Sequence, residues 1–136
     1  LKVIQNGVPL PLNAVQNKRS LIYVGNLADA ITLTVESPGA ANQTFFVSDV
    51  EAVSTPNLIK KISTILGKKP RLINFPLSVL KFVGALTGKS MAVSRLLGSL
   101  IVNTRHIEAQ LNWRPPHSME RGLKETVDWF NTNCSK

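Results

Sequence analysis

One run of residues, Arg19 to Ile31, constrains the fold more than any other part of this chain. Leu21, Ile22 and Val24 are the aliphatic and β-branched types that suit a pleated, buried strand. Gly25 and Asn26 read as a turn with helix-capping chemistry. Leu27, Ile31 and Val35 then recur at i, i+4 and i+8, the spacing of one helix face. A strand that places one cation at its mouth and turns directly into a helix is the start of an α/β unit.

The rest of the chain continues the alternation. Thr44–Val47 and Arg71–Phe75 predict two further short strands, the second closed by Pro76. Ser54, Thr55 and Pro56 predict a helix start, with a hydroxyl at the cap and proline at the first helical position. Behind them Leu58, Ile59, Ile62, Ile65 and Leu66 form an apolar face opposite Lys60, Lys61, Ser63 and Thr64, and Gly67 stops the helix. An apolar helix is expected over 77–88, a short one over 90–97, and another capped by Asn103 and running to Leu111. Ser118 caps a final helix bearing Met119, Leu123, Val127 and Phe130. Pro9 and Pro11 exclude helix from 1–18, which reads as an edge segment or a loop flanking a ligand.

Strands that alternate with helices and are followed by helices give an α/β assignment, rich in helix. Three short strands cannot form a doubly wound sheet of normal width. Some are therefore expected to be the edge of a sheet whose other strands lie outside this chain. Residues 1–136 read as one domain of a longer protein, and a first residue of Leu1 rather than methionine fits that expectation.

Composition narrows the function classes. At 136 residues and 43% hydrophobic, the chain can bury a core. A mean hydropathy of +0.07 and 18% charged residues argue against disorder. Cys134 is the single cysteine, so no disulfide framework or zinc cluster is expected, and a cytoplasmic setting is the default. The net charge of +8 raises the question of an anionic partner. The cations are scattered, Lys68-Lys69-Pro70-Arg71 being the nearest approach to a cluster, and aromatics are 6% with no alternation of ring and cation. Nucleic acid is not the expected partner. A diphosphate ligand needs two or three cations, and the others read as solvated surface. The most apolar region, Leu77 to Val102, is interrupted by Lys81, Lys89 and Arg95 and is too broken to span a membrane. A buried core helix is the expectation there, against the alternative of an interfacial one.

Catalytic groups are sparse. His106 and His117 have no cysteine or carboxylate at ligand spacing, and read as an exposed helix position and a turn. Ser48, Asp49 and Ser54 have no accompanying histidine and read as turn and cap. Glu120 and Lys124 read as an i, i+4 ion pair. Arg19 can offer a planar fork of donors to phosphate oxygens, or alternatively pair with a carboxylate such as Asp29.

The segment Arg19-Ser20-Leu21-Ile22-Tyr23-Val24-Gly25-Asn26-Leu27-Ala28-Asp29-Ala30 resembles a signature of the extended short-chain dehydrogenases/reductases. These are the NAD-dependent nucleotide-sugar epimerases and dehydratases, typified by UDP-glucose 4-epimerase. Asn103-Thr104-Arg105-His106-Ile107 leading to Leu111-Asn112-Trp113 is similar to a later signature of that family. Pro115-Pro116, Ser118-Met119-Glu120, Gly122-Leu123 and Thr126 to Phe130 resemble its ending, in which Trp113 would anchor the loop between the last two helices. The resemblance covers almost the whole chain with its motifs in family order. Gly7-Val8-Pro9-Leu10-Pro11-Leu12 is similar to members that serve bacterial surface-polysaccharide synthesis.

The resemblance implies a C-terminal, substrate-binding part of such an enzyme. Arg19 and Arg95 would contact the diphosphate of a UDP-type sugar, and Val8, Leu10 and Leu12 would flank the base through backbone groups. Leu96-Leu97-Gly98-Ser99 departs from the acidic sequence usual after the second arginine, which leaves no carboxylate there for a sugar hydroxyl. The family's NAD-binding Gly-x-x-Gly-x-x-Gly turn is absent from the chain. So is its Tyr-x-x-x-Lys pair: Tyr23 is the single tyrosine, with Leu27 four residues on. The chain alone is thus expected to be inactive and to bind no NAD. Its partners would be the N-terminal Rossmann domain of the same protein and, in addition, a second copy. The reading from another class is a stand-alone basic module that binds nucleic acid or a membrane surface.

Overall fold

The computed structural model describes residues 1–134, so Lys136 of the basic set lies outside the described residues. The α-helices are α1 (Lys2–Gln5), α2 (Val24–Glu36), α3 (Thr55–Ile65), α4 (Leu77–Leu86), α5 (Ser90–Leu97), α6 (Arg105–Leu111) and α7 (Met119–Cys134), with a 3-10 turn at Pro38–Ala40. Helix α1 corrects the expectation for 1–18. The prolines exclude helix from their own neighbourhood, and Gly7, at φ +66°, turns the chain before Pro9 is reached.

The three expected strands do not form ladders among the described residues. Arg19 is bridged once on each side, antiparallel to Val53 and parallel to Leu100, and Leu10 is bridged in parallel to Leu72. The bonds themselves are well formed. Arg19 and Val53 exchange N–H···O bonds of 2.9 Å in both directions. Ser20 donates to the Leu100 carbonyl and Leu100 to that of Lys18, each at 2.8 Å. Thr44–Val47 forms no ladder, because the described chain brings it no second strand.

Capping follows the sequence with two shifts. Ser54 caps α3 by accepting from the Asn57 N–H, with proline in the first turn as expected. Ser118 accepts from the Arg121 N–H at the start of α7. Gly25 and Asn26 are not a turn: they lie inside α2, whose N-cap is Tyr23. Asn103 stands one position before the Thr104 cap of α6, and its side chain still accepts from the Arg105 N–H.

Two apolar clusters form the core. Leu12, Val15 and Ile59 are buried, with Ile4, Leu10, Leu72, Leu77, Leu80, Leu96 and Leu97 packed around them. Ala30, Ile107 and Trp113 form the second cluster, joined by Ile22, Leu33, Phe45, Val47 and Leu111. Met119, Val127 and Phe130 of α7 are buried as expected. Ser63 of α3 is buried rather than solvated, and Leu27, Ile31 and Val35 of α2 are exposed while Asn26 and Ala30 face inward. The region 77–102 is not a buried core helix, since α4 buries Gly84 and α5 buries no residue fully.

Asn17, 3% exposed, stitches three segments together. Its Oδ1 accepts from the Thr55 N–H at 2.8 Å, and its Nδ2 donates to Thr55 Oγ1 at 2.9 Å and to the Leu96 and Gly98 carbonyls. Truncation would strand these buried groups, each worth ~1 kcal/mol or more. We expect Asn17→Ala to lower unfolding free energy by about 3 kcal/mol in a urea titration, against a change within ~0.5 kcal/mol for the exposed Gln16→Ala.

Candidate functional site

Of the five residues singled out in the sequence, Val8, Leu10, Leu12 and Arg95 lie on elements that meet around the first apolar cluster. Leu10 and Leu12 pack into it from the N-terminal segment, and Leu96 and Leu97 from α5. Arg95 precedes those leucines in the last turn of α5 and is exposed. Arg19 lies two residues beyond Asn17, half-buried, on the segment bridged to Leu100. The Asn17 amide thus ties the segment carrying Arg19 to the end of the helix carrying Arg95. No carboxylate forms an ion pair with either arginine among the described residues. Asp29, the alternative partner considered for Arg19, instead accepts from Trp113 Nε1 at 2.8 Å.

The stretch from Val8 to Leu12 has spent its donors. The Val8, Leu10 and Leu12 N–H groups donate to the Val3, Arg71 and Leu10 carbonyls. The Leu12 side chain is buried, the Leu10 carbonyl already accepts from the Leu12 and Ile73 N–H groups and the Leu12 carbonyl from that of Val15. Contact with a ligand from here falls to the Val8, Pro9 and Pro11 carbonyls and to the exposed Val8 side chain.

A second constellation surrounds Tyr23. Asn26, fully buried, donates to Asp49 Oδ1 at 2.7 Å and to the His117 carbonyl at 2.9 Å, and accepts from the His117 N–H at 2.9 Å. Asp49 Oδ1 also accepts from the Tyr23 N–H, so this carboxylate stabilises the start of α2 from a distant loop. The node is not visible in local sequence, where Asn26 and Asp49 read as turn residues. Their placement depends on partners far along the chain.

The Tyr23 hydroxyl donates to Glu125, which also accepts from Arg121 Nε at 3.0 Å, and the His117 ring stands edge-on to Tyr23. The expected Glu120–Lys124 pair is replaced by Lys61–Glu120 at 3.1 Å and Arg121–Glu125. Packing of α3 on α7 brings Lys61 within reach of Glu120. The hydrogen bond to Glu125 chiefly raises the Tyr23 phenol above its ordinary value, with desolvation and the Glu125 charge adding to the shift. Glu125 is held below the usual carboxylate range by the bonds from Tyr23 and Arg121. A proton-transferring tyrosine needs the opposite shift, so Tyr23 is suited to structure. Beside it, Tyr23, Val24, Glu125, Thr126 and Trp129 line an open groove of about 410 Å³ that includes neither Arg19 nor Arg95.

Comparison with known proteins gives the geometry a context. No family model matches the chain. It is 38% identical over 131 residues to UDP-glucose 4-epimerase of Vibrio cholerae, covering 96% of this chain and 40% of that protein. The chain is similar in sequence to nucleotide-sugar epimerases over nearly its whole length. It is 24% identical to N-acetyl-alpha-D-glucosaminyl-diphospho-ditrans,octacis-undecaprenol 4-epimerase of Escherichia coli O157:H7, covering 100% of this chain and 44% of that one. To dTDP-4-dehydro-6-deoxyglucose reductase of Escherichia coli it is 23% identical, over 93% of this chain and 35% of that one. The structure of dTDP-glucose 4,6-dehydratase from Bacillus anthracis in complex with NAD matches the fold with a TM-score of 0.69 at 18% identity, over 98% of this chain and 38% of that one. The chain spans about two fifths of the length of the curated relatives it matches.

The Tyr23–Glu125 link has a pH signature. The lowered Glu125 contributes stability above its unfolded pKa that is lost as pH falls through the folded one. The raised Tyr23 contributes stability below its unfolded pKa that is lost as pH rises through the folded one. Thermal melts of Tyr23→Phe across pH should therefore show a smaller alkaline drop than the parent chain. An alkaline limb identical to the parent's would contradict the link.

Proposed function

We propose that this chain is the C-terminal, nucleotide-sugar-binding part of an NAD-dependent epimerase or dehydratase, with Arg19 and Arg95 clasping the substrate's diphosphate. The observation that carries the proposal is the Asn17 tether, which fastens the segment of Arg19 to the helix end of Arg95, neither of which is ion-paired among the described residues. Guanidinium groups without carboxylate partners are free to meet phosphate oxygens. The names of the relatives support the same chemistry, since UDP, dTDP and diphospho-undecaprenol substrates all carry a sugar on a diphosphate. The undecaprenol-linked relative also supports a role in surface-polysaccharide synthesis. Among the candidate nucleotides we favour UDP, with the Val8 to Leu12 stretch flanking the base through the Val8, Pro9 and Pro11 carbonyls.

NAD would be held elsewhere in the longer protein. The glycines of this chain do not gather into a phosphate cradle: Gly7, Gly67 and Gly88 make isolated left-handed turns, and Gly25 and Gly122 pack against the Tyr23 ring. The residues present do not fit that cofactor, and we assign them no part in hydride transfer. Their work is to bind and orient the substrate. The remaining parts of the account are an N-terminal Rossmann domain in the same protein, a cytoplasmic setting and a homodimer.

Arg19 is bridged through its backbone, so Arg19→Ala removes the fork and leaves the bridges in place. A charge-assisted contact is worth ~1.5–3 kcal/mol. Calorimetry on the complete protein should show UDP-glucose binding weakened about ten-fold or more in Arg19→Ala, and unchanged affinity would refute the assignment.

A further inference from the structure

Helix α4 is strongly apolar, and the fold buries little of it. Leu77 and Leu80 reach the first core cluster, but Val79, Phe82, Val83 and Leu86 stay exposed, Phe82 at 63% and Leu86 at 72%. Met91, near the start of α5, is 71% exposed. The two helices form one tight hairpin. The Lys89 N–H donates to the Gly84 carbonyl at 2.7 Å, and a Cβ at Gly84 would meet Val93 Cγ2 at 2.6 Å. The hairpin therefore projects as a unit with an apolar crest.

Charge is distributed to match. From Ala52 to Ile107 the sequence holds nine Lys and Arg and no Asp or Glu, while the remaining seven basic and eight acidic residues nearly cancel. All the excess positive charge of the chain lies on the stretch that bears the hairpin. Lys68, Lys69, Arg71, Lys81 and Lys89 are exposed, and none takes part in an ion pair among the described residues. Hydrocarbon just beneath a layer of anionic groups complements an apolar crest that carries Lys81 and Lys89, and an anionic bilayer presents that arrangement. No helix of the described residues is long and apolar enough to cross a membrane, so contact is confined to the interface.

We propose that the α4–α5 hairpin docks on the surface of an anionic phospholipid bilayer. Phe82, Leu86 and Met91 enter the boundary between headgroups and acyl chains, and Lys81 and Lys89 meet lipid phosphates. The inference uses none of the residues assigned to the sugar nucleotide, so either can fail without the other.

The test is co-sedimentation of the complete protein with vesicles of phosphatidylglycerol and phosphatidylethanolamine, compared with phosphatidylcholine vesicles. The protein should pellet with the anionic vesicles, less so as salt rises, and only weakly with phosphatidylcholine. Phe82→Ser with Leu86→Ser should lower anionic-vesicle affinity about ten-fold or more. Lys81→Glu with Lys89→Glu should remove the preference for anionic lipid, and this second variant carries the test should the first fail to keep its helical circular dichroism. Three outcomes would overturn the proposal: no pelleting with anionic vesicles, affinity unchanged in both variants, or a complete protein in which another polypeptide covers Phe82 and Leu86 and no lipid binds.

Discussion

Buried side-chain amides hold this fold together where a sheet would ordinarily do so. Asn26 pairs with both the N–H and the C=O of His117, as a neighbouring strand would, and adds Asp49 as a third partner. Asn17 does the same for the start of α3 and the end of α5. With single bridges in place of ladders, the long-range backbone bonds between the N-terminal third of the chain and the rest are scattered pairs, and the buried amides tie the segments between them. A buried amide left unpaired is costly, so each of these side chains selects one arrangement of distant segments.

The consequences reach both core clusters. Once Asn26 and Asp49 fix the start of α2 against the turn before α7, Asp29 on the same helix lies where Trp113 can donate to it, and Trp113 fills the second cluster. Once Asn17 fixes the end of α5, Leu96 and Leu97 pack beside Leu10 and Leu12. The arrangement that brings Arg19 and Arg95 onto tethered elements is thus a by-product of core formation. In the proposed reading, the diphosphate site is positioned before any ligand arrives, which lowers the ordering cost of binding.

Local signals were legible in the sequence, and long-range ones were not. The Ser54 and Ser118 caps, the stop at Gly67 and the buried face of α7 follow from residue types within one or two helical turns, and the structure has them. The family resemblance, carried by ordered motifs, agrees with relatives that cover nearly all of the chain. The strands failed because their propensity is real but their partners are few: a strand exists through its neighbour. Asn26 was misread for the same kind of reason, since a capping residue type was given a local role that distant Asp49 and His117 overrode. The apolar helix over 77–86 was expected to be buried because hydropathy records composition and not the cover a fold supplies. The roles proposed for Arg19 and Arg95 rest on resemblance and on the lack of carboxylate partners among the described residues, two signals that composition alone would not have joined.

Native-state hydrogen exchange on the Thr55 and His117 amides addresses the central claim most directly. Both amides precede or begin their helices and donate to asparagine side chains rather than to helix or sheet carbonyls. If Asn17 and Asn26 hold the fold, these two amides exchange as slowly as those in the middle of α3 and α7, through global unfolding. Exchange at the rate of exposed loop amides would mean that the asparagine nodes open independently, and the account of how this chain holds its shape would be wrong.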